Sequence, residues 1–212
     1  MQIDIIFGIA ALVFSVVLHE VAHGYMANFL GDPTARLDGR LTINPLKHLD
    51  PFGSVLLPAI LVLSHSPILF GWAKPVPYNP YNLKRGGVWA EALVAGAGPA
   101  SNLLIAIAIA IFIRATIAAG VISDAVLQLG FTIVVINVML SIFNLIPIPP
   151  LDGSKILSAI LPISLAQSWE KVRMQLEHNP LLGFGAVVLF IMLMGDGLGK
   201  LVHVIARVFV GA

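Results

Sequence analysis

Two histidines and a glutamate on one short stretch, His19-Glu20-Val21-Ala22-His23, are the residues of this chain whose types and spacing could do chemistry. On an α-helix, positions i and i+4 share a face, so both imidazoles can aim a ring nitrogen at one ion. Zinc is the expected occupant. Neutral imidazole is among its preferred ligands, and the neighbouring Glu20 can take a proton from water whose pKa the ion lowers to about 7. The pattern therefore points to metal-assisted hydrolysis. Composition alone would produce H-E-x-x-H about 3 times in 1000 such chains, so the surroundings must decide against a helix whose histidines merely pack or face solvent. Those surroundings are residues 5–18, almost uninterrupted hydrophobe, where an unpaired polar cluster costs several kcal/mol.

A catalytic zinc takes three protein ligands and keeps one position open. Beyond His19 and His23 the candidates are Asp32, Asp38, Asp50, Asp152, Asp196, His48, His65, His178 and His203. Asp152 alone follows a proline-broken helix end, at Pro147, Pro149 and Pro150, where an acid could point inward. It could equally N-cap a helix starting near Gly153, and spacing leaves the two readings level. His48 and Asp50 have a ligand-like H-x-D spacing, but Asp50-Pro51 reads as an N-cap followed by proline at the first helical position. His65, His178 and His203 read as loop or interface residues.

The elements that must carry these residues belong to a membrane protein. Hydrophobic residues make up 58% of the chain and charged residues 11%, against about 25% charged in soluble domains. The expected fold class is an all-α polytopic membrane protein, one transmembrane domain over residues 1–212. Net charge is +1, and no basic tract with interleaved aromatics points to nucleic acid. The absence of cysteine excludes disulfides, thiolate ligands and a thiol nucleophile. The first apolar stretch lacks the basic flank of a signal peptide and contains the H-E-x-x-H, so it is expected to stay.

Spans are expected at residues 3–30, ended by Gly31-Asp32-Pro33, at 87–119 and at 125–145. His19 then lies roughly 21 Å into a core about 30 Å thick. The second span carries a small-residue face, Gly96, Gly98, Pro99, Ala100 and Ser101, with Asn102 just beyond. The third ends at Asn144. A short helix at 154–161, a charged surface helix at 164–178 and a thin span at 181–195 follow. Residues 198–210 put Lys200, His203 and Arg207 on one side, as an interfacial helix or the end of a broken span. Residues 40–44 alternate like a short strand, and 72–77 are proline-punctuated and extended. Residues 52–70 are expected to form a re-entrant or interfacial helix, because the ligands can meet only if 31–86 begins and ends on one side of the membrane. Nine of the 12 Lys and Arg then lie on the zinc side, which makes that side cytoplasmic, in the cell membrane of a prokaryote.

His19-Glu20-Val21-Ala22-His23, Gly98-Pro99-Ala100-Ser101-Asn102 and Asn144 with Leu151-Asp152-Gly153 stand in the order found in the site-2 protease family of intramembrane zinc metalloproteases. From about residue 10 to 160 the chain resembles that family. Gly71-Trp72-Ala73-Lys74-Pro75-Val76-Pro77 looks like the segment those proteins fold as strands at the membrane, so a multi-helix bundle with a few short membrane-associated strands is expected. The resemblance implies Zn2+ held by His19, His23 and Asp152, with Glu20 as general base. It places Asn144 and Asn102 in the active site, Asn144 donating to the developing oxyanion. Asn102 could equally be interhelical glue, worth about 1 kcal/mol. The implied form is minimal, without the PDZ or nucleotide-sensing domain that many members carry. The implied activity is intramembrane endopeptidase, acting on transmembrane protein substrates within the lipid bilayer. A substrate must unwind, and an extended stretch could pair with 40–44 or 72–77 by β-augmentation. The alternatives are a zinc-binding channel or transporter, which gives Glu20 no task, and a noncatalytic scaffold for transmembrane helices. Oligomeric state is left open.

Overall fold

The computed structural model of the chain describes residues 2–56, 59–60, 63–64 and 73–211. Helix α1, Gln2–Leu30, is a proline-free apolar run. It ends in a Schellman motif: Gly31 takes φ 114°, its N–H reaches Asn28 O at 3.2 Å, and Asp32 N–H reaches Ala27 O at 2.9 Å. A single helical turn, α2 (Thr34–Leu37), follows.

The chain then returns to where it left. Lys84 and Arg85 donate their N–H groups to Leu30 O at 2.9 and 3.1 Å, and the buried Asp32 accepts from Asn79 N at 2.7 Å and Asn82 Nδ2 at 3.0 Å. Residues 31–86 therefore begin and end at the same end of α1. Within them Asp50 does cap its segment, its Oδ1 accepting from Phe52 N at 3.0 Å and Gly53 N at 2.6 Å, ahead of a π-helical turn over Pro51–Leu56. The helix expected over 52–70 falls largely outside the described residues.

Helix α3, Ala90–Ala118, runs back along α1, and α4, Asp124–Asn144, reverses again, its start capped by the Ser123 hydroxyl. Small residues make this packing close: Ala92, Ala95, Gly98, Asn102, Ala106 and Ala110 of α3 are all buried, at three- and four-residue steps along one face. Residues 5–30, 87–118 and 124–144 are long and apolar enough to cross a membrane, in agreement with the spans read from the sequence. Their outward faces, with Ile5, Ile9, Phe112 and Ile111 exposed, suit lipid.

After the proline break come α5 (Asp152–Ile160), α6 (Ile163–His178), α7 (Pro180–Met194) and α8 (Gly197–Val210). At 15 residues α7 reaches only about 22 Å, and it meets α6 at a bend of 103°. Helix α8 lies against α3 and α4 with Leu198, Val202, Ala206 and Val210 buried, leaving Lys200, His203 and Arg207 exposed as their spacing implied. Helix α6 is a mostly exposed surface helix, as expected, with one exception. Its Arg173 is buried and pairs with Glu170 at 2.5 Å, Glu177 at 3.4 Å and Glu91 of α3 at 3.5 Å.

The short strands are not there: among the described residues no strand forms. Residues 40–44 and 73–79 do run close together, but side chains hold them. Arg40 Nη2 bonds Lys74 O at 2.8 Å, while Lys74 N–H goes to His48 O at 2.8 Å. Pro75 and Pro77 have no N–H to give a ladder. The alternating pattern at 40–44 did not become a strand, and a bend stands at Thr42.

Candidate metal centre

His19 and His23 project from one face of α1, their rings 4.6 Å apart and nearly perpendicular. The start of α5 brings Asp152 to them: its Oδ2 lies 3.2 Å from His19 Nε2 and 3.3 Å from His23 Nε2. Among the described residues these three form the one group of at least three metal-ligating side chains with converging donor atoms, all within 4.8 Å. The capping alternative for Asp152 does not occur. Leu151 holds the N-cap position of α5 with no side-chain cap, leaving the carboxylate for the histidines.

The far side of each ring is also determined. His19 Nδ1 lies 2.6 Å from Asn102 Oδ1, and His23 Nδ1 lies 2.7 Å from the Val94 carbonyl. Both partners accept, so each imidazole carries its proton on Nδ1 and presents a bare Nε2 to the centre. Gly98 of α3 completes the cradle: a Cβ there would lie 2.5 Å from both Nε2 atoms. Two imidazole nitrogens, one carboxylate oxygen and space kept clear by a glycine fit a four-coordinate zinc with one open position.

A cavity of about 180 Å³ opens onto this cluster, lined also by Glu20, Val76, Tyr78, Asn144 and Lys155. Glu20 Oε2 accepts from the Val76 N–H at 2.8 Å, which orients the carboxylate toward the cavity. Asn144 gives one amide hydrogen to Leu140 O at 2.9 Å and has a second to offer. Asn102 is completely buried behind His19 rather than in the cavity. A larger hollow of about 640 Å³ follows the polar face of α8 along Asp196, Lys200, His203 and Arg207. It is open surface without a converging ligand set.

The remaining candidates are accounted for locally. His48 is buried with Nε2 on Thr42 O at 2.9 Å, away from Asp50, so H-x-D builds no second site. His178 and His203 bond the carbonyls one turn back in their own helices, Met174 O and Gly199 O. Asp38 and Asp196 are exposed, and His65 lies outside the described residues. Several site residues went unread in the sequence. The Val76 amide and the Lys155 ammonium, 5.2 Å over the Tyr78 ring, lie in or beside segments the sequence did single out, but a backbone N–H and a lysine next to Asp152-Gly153 carry no signal of their own. Asn137 and Ser15 stand behind Asn102, and their signal was available: polar side chains within apolar spans.

A family model described as Peptidase family M50 matches residues 113–192, a stretch that includes Asn144 and Asp152. The chain is 42% identical over 160 residues to "Putative zinc metalloprotease YwhC" of Bacillus subtilis (strain 168), covering 73% of this chain and 68% of that protein. It is 34% identical over 147 residues to "Putative zinc metalloprotease Rip2" of Mycolicibacterium smegmatis, covering 68% of this chain and 53% of that protein. No solved structure matches.

Proposed function

The chain belongs to peptidase family M50, the site-2 proteases, and from that premise we propose that it is a zinc endopeptidase cutting peptide bonds in or beside transmembrane segments of other membrane proteins. The observation that carries this reading is the convergence of His19, His23 and Asp152 on one point, with the Glu20 carboxylate on the same small cavity. Zinc, when bound, supplies a Lewis acid. His19 and His23 hold it through Nε2, and Asp152 through a carboxylate oxygen. Glu20 takes the proton of the attacking water, with the Val76 N–H fixing one of its oxygens so that the other faces the substrate. General base catalysis of this kind supplies about 10² to 10⁴-fold. Asn144 donates its second amide hydrogen to the oxygen that gains charge during attack. Asn102 acts on His19 and not on the substrate.

A transmembrane helix hides its carbonyls in its own hydrogen bonds, so the bond to be cut must be presented on extended chain. Residues 73–79 form no helix and reach Glu20 through the Val76 N–H, which makes them the natural edge for a substrate strand. The distribution of charge supports a cytoplasmic side for the centre: Arg36, Arg40, Lys47, Lys74, Lys84 and Arg85 all lie between the first two spans.

The test is the Glu20→Gln variant, reconstituted in lipid with a peptide containing a transmembrane segment. It should retain zinc and fold while cleavage falls by about 10² to 10⁴-fold. Undiminished cleavage by the zinc-loaded variant, or no cleavage by the zinc-loaded parent, sinks the proposal.

A further inference from the structure

Behind His19 lies a chain of polar side chains that the peptidase reading does not use. Asn102 of α3 gives one amide hydrogen to Ser15 O at 3.2 Å and the other to Asn137 Oδ1 at 2.9 Å. Asn137 of α4 in turn gives its amide hydrogens to the Ser15 hydroxyl at 2.9 Å and to Ile133 O at 2.9 Å. Ser15 sits one turn before His19 on α1, and the whole group is buried, with Asn102 and Asn137 at 0% exposure and Ser15 at 4%. Three spans thus meet on a hydrogen-bonded network in apolar surroundings.

The polarity of this network follows from its ends. Ile133 O is a backbone carbonyl and can only accept, so the NH₂ of Asn137 must face it and the Asn137 oxygen must face Asn102. That oxygen and Ser15 O both accept, so Asn102 turns its NH₂ to them and its own oxygen to His19. An oxygen at 2.6 Å from Nδ1 then requires a proton there, which leaves Nε2 bare. Turning the Asn137 amide over would set NH₂ against NH₂ and oxygen against oxygen, two buried mismatches each costing several times a typical bond.

We infer that Asn137 and Ser15 are positioning residues for the metal ligand His19, acting through Asn102 to fix its ring orientation and its tautomer. The inference rests on the zinc peptidase reading of the site. Partners of this kind, one step behind a ligand, are typically worth 10 to 100-fold in metal affinity. Asn137 sits two residues' reach from any ligand atom, on a helix that supplies no ligand itself, so its role is invisible from the cluster alone.

The experiment compares zinc affinity, by chelator competition, and the visible spectrum of the cobalt-substituted protein across variants in detergent or nanodiscs. Asn137→Leu should weaken zinc binding about 10 to 100-fold and alter the cobalt spectrum. Val138→Ala, a neighbouring buried residue of the same helix with no link to His19, should lower thermal stability and leave affinity and spectrum unchanged. Parent-like affinity and spectrum in Asn137→Leu overturn the inference, as does equal weakening by Val138→Ala. If Asn137→Leu does not fold, Ser15→Ala decides: it removes the hydroxyl that holds Asn137, and an unchanged affinity and spectrum overturn the inference. A parent that takes up no zinc overturns this inference together with the peptidase reading, whereas a zinc-binding parent insensitive to Asn137 and Ser15 overturns this one alone.

Discussion

Gly98→Ala is a sharp test of the centre because the same methyl group has opposite effects on helix and site. Within α3 the change gains about 0.8–1.0 kcal/mol of helix propensity. At the site the new Cβ would lie 2.5 Å from His19 Nε2, 2.5 Å from His23 Nε2 and 2.6 Å from His19 Cε1. Non-bonded atoms settle at about 3.5–4 Å, so both coordinating nitrogens would have to retreat by roughly 1 Å. Metal–ligand distances tolerate only about ±0.2 Å, and a misplacement near 1 Å costs on the order of 10²-fold in rate. The overpacking itself costs about 1–3 kcal/mol, partly offset by the helix gain, so the variant should fold with a modest change in melting temperature. Zinc content after exposure to a mild chelator, melting temperature and cleavage of a transmembrane peptide are then read side by side. The expected result is a folded protein with little zinc and at least about 10²-fold less cleavage. Gly96→Ala is the control. Its Cβ meets nothing nearer than Ile156 Cδ1 at 3.9 Å, and it should behave like the parent. A Gly98→Ala protein with full zinc and parental turnover would refute the placement of the two nitrogens on which the site is built.

Asp152→Ala should abolish tight zinc binding and cleavage, where loss of a mere helix cap would cost about 1 kcal/mol of stability and spare the metal; zinc content separates the two. Asn144→Ala should keep zinc and lower turnover by about 10² to 10³-fold with little change in KM, and an unaltered rate would remove it from the oxyanion role. Asp32 is fully buried and accepts from Thr34 N and Oγ1, Asn79 N and Asn82 Nδ2. Burial opposes its charge, but these hydrogen bonds outweigh that and lower its pKa below the ordinary carboxyl value. A carboxyl depressed in the folded state contributes stability that is fully present above about pH 4 and is lost as pH falls through the folded value. Asp32→Asn should therefore melt lower at pH 7, by about 1–3 kcal/mol, and show a shallower loss of stability below pH 4 than the parent; parallel acid limbs would count against it.

Hydropathy made the three spanning segments legible because membrane crossing is a property of contiguous sequence, and the observed helices Gln2–Leu30, Ala90–Ala118 and Asp124–Asn144 follow it within a few residues. The pairing of His19 with His23 was legible for the same kind of reason: one turn of one helix brings them together whatever else the chain does. Asp152 was a different matter. Its spacing allowed a cap or a ligand, and only the packing of α5 against α3, which carries Asp152 to histidines 133 and 129 residues away in sequence, decides for the histidines, with Leu151 holding the cap position. The strands failed because alternation describes one segment, whereas pairing needs a second with N–H groups to give, and the prolines at 75 and 77 remove them. Asn102, Asn137 and Ser15 were each visible as polar residues in apolar spans, but not their partnership. Which buried polar groups meet depends on the rotation and depth at which three helices pack, and the small residues of α3 that permit that approach act through contacts between helices rather than through spacing along any one of them.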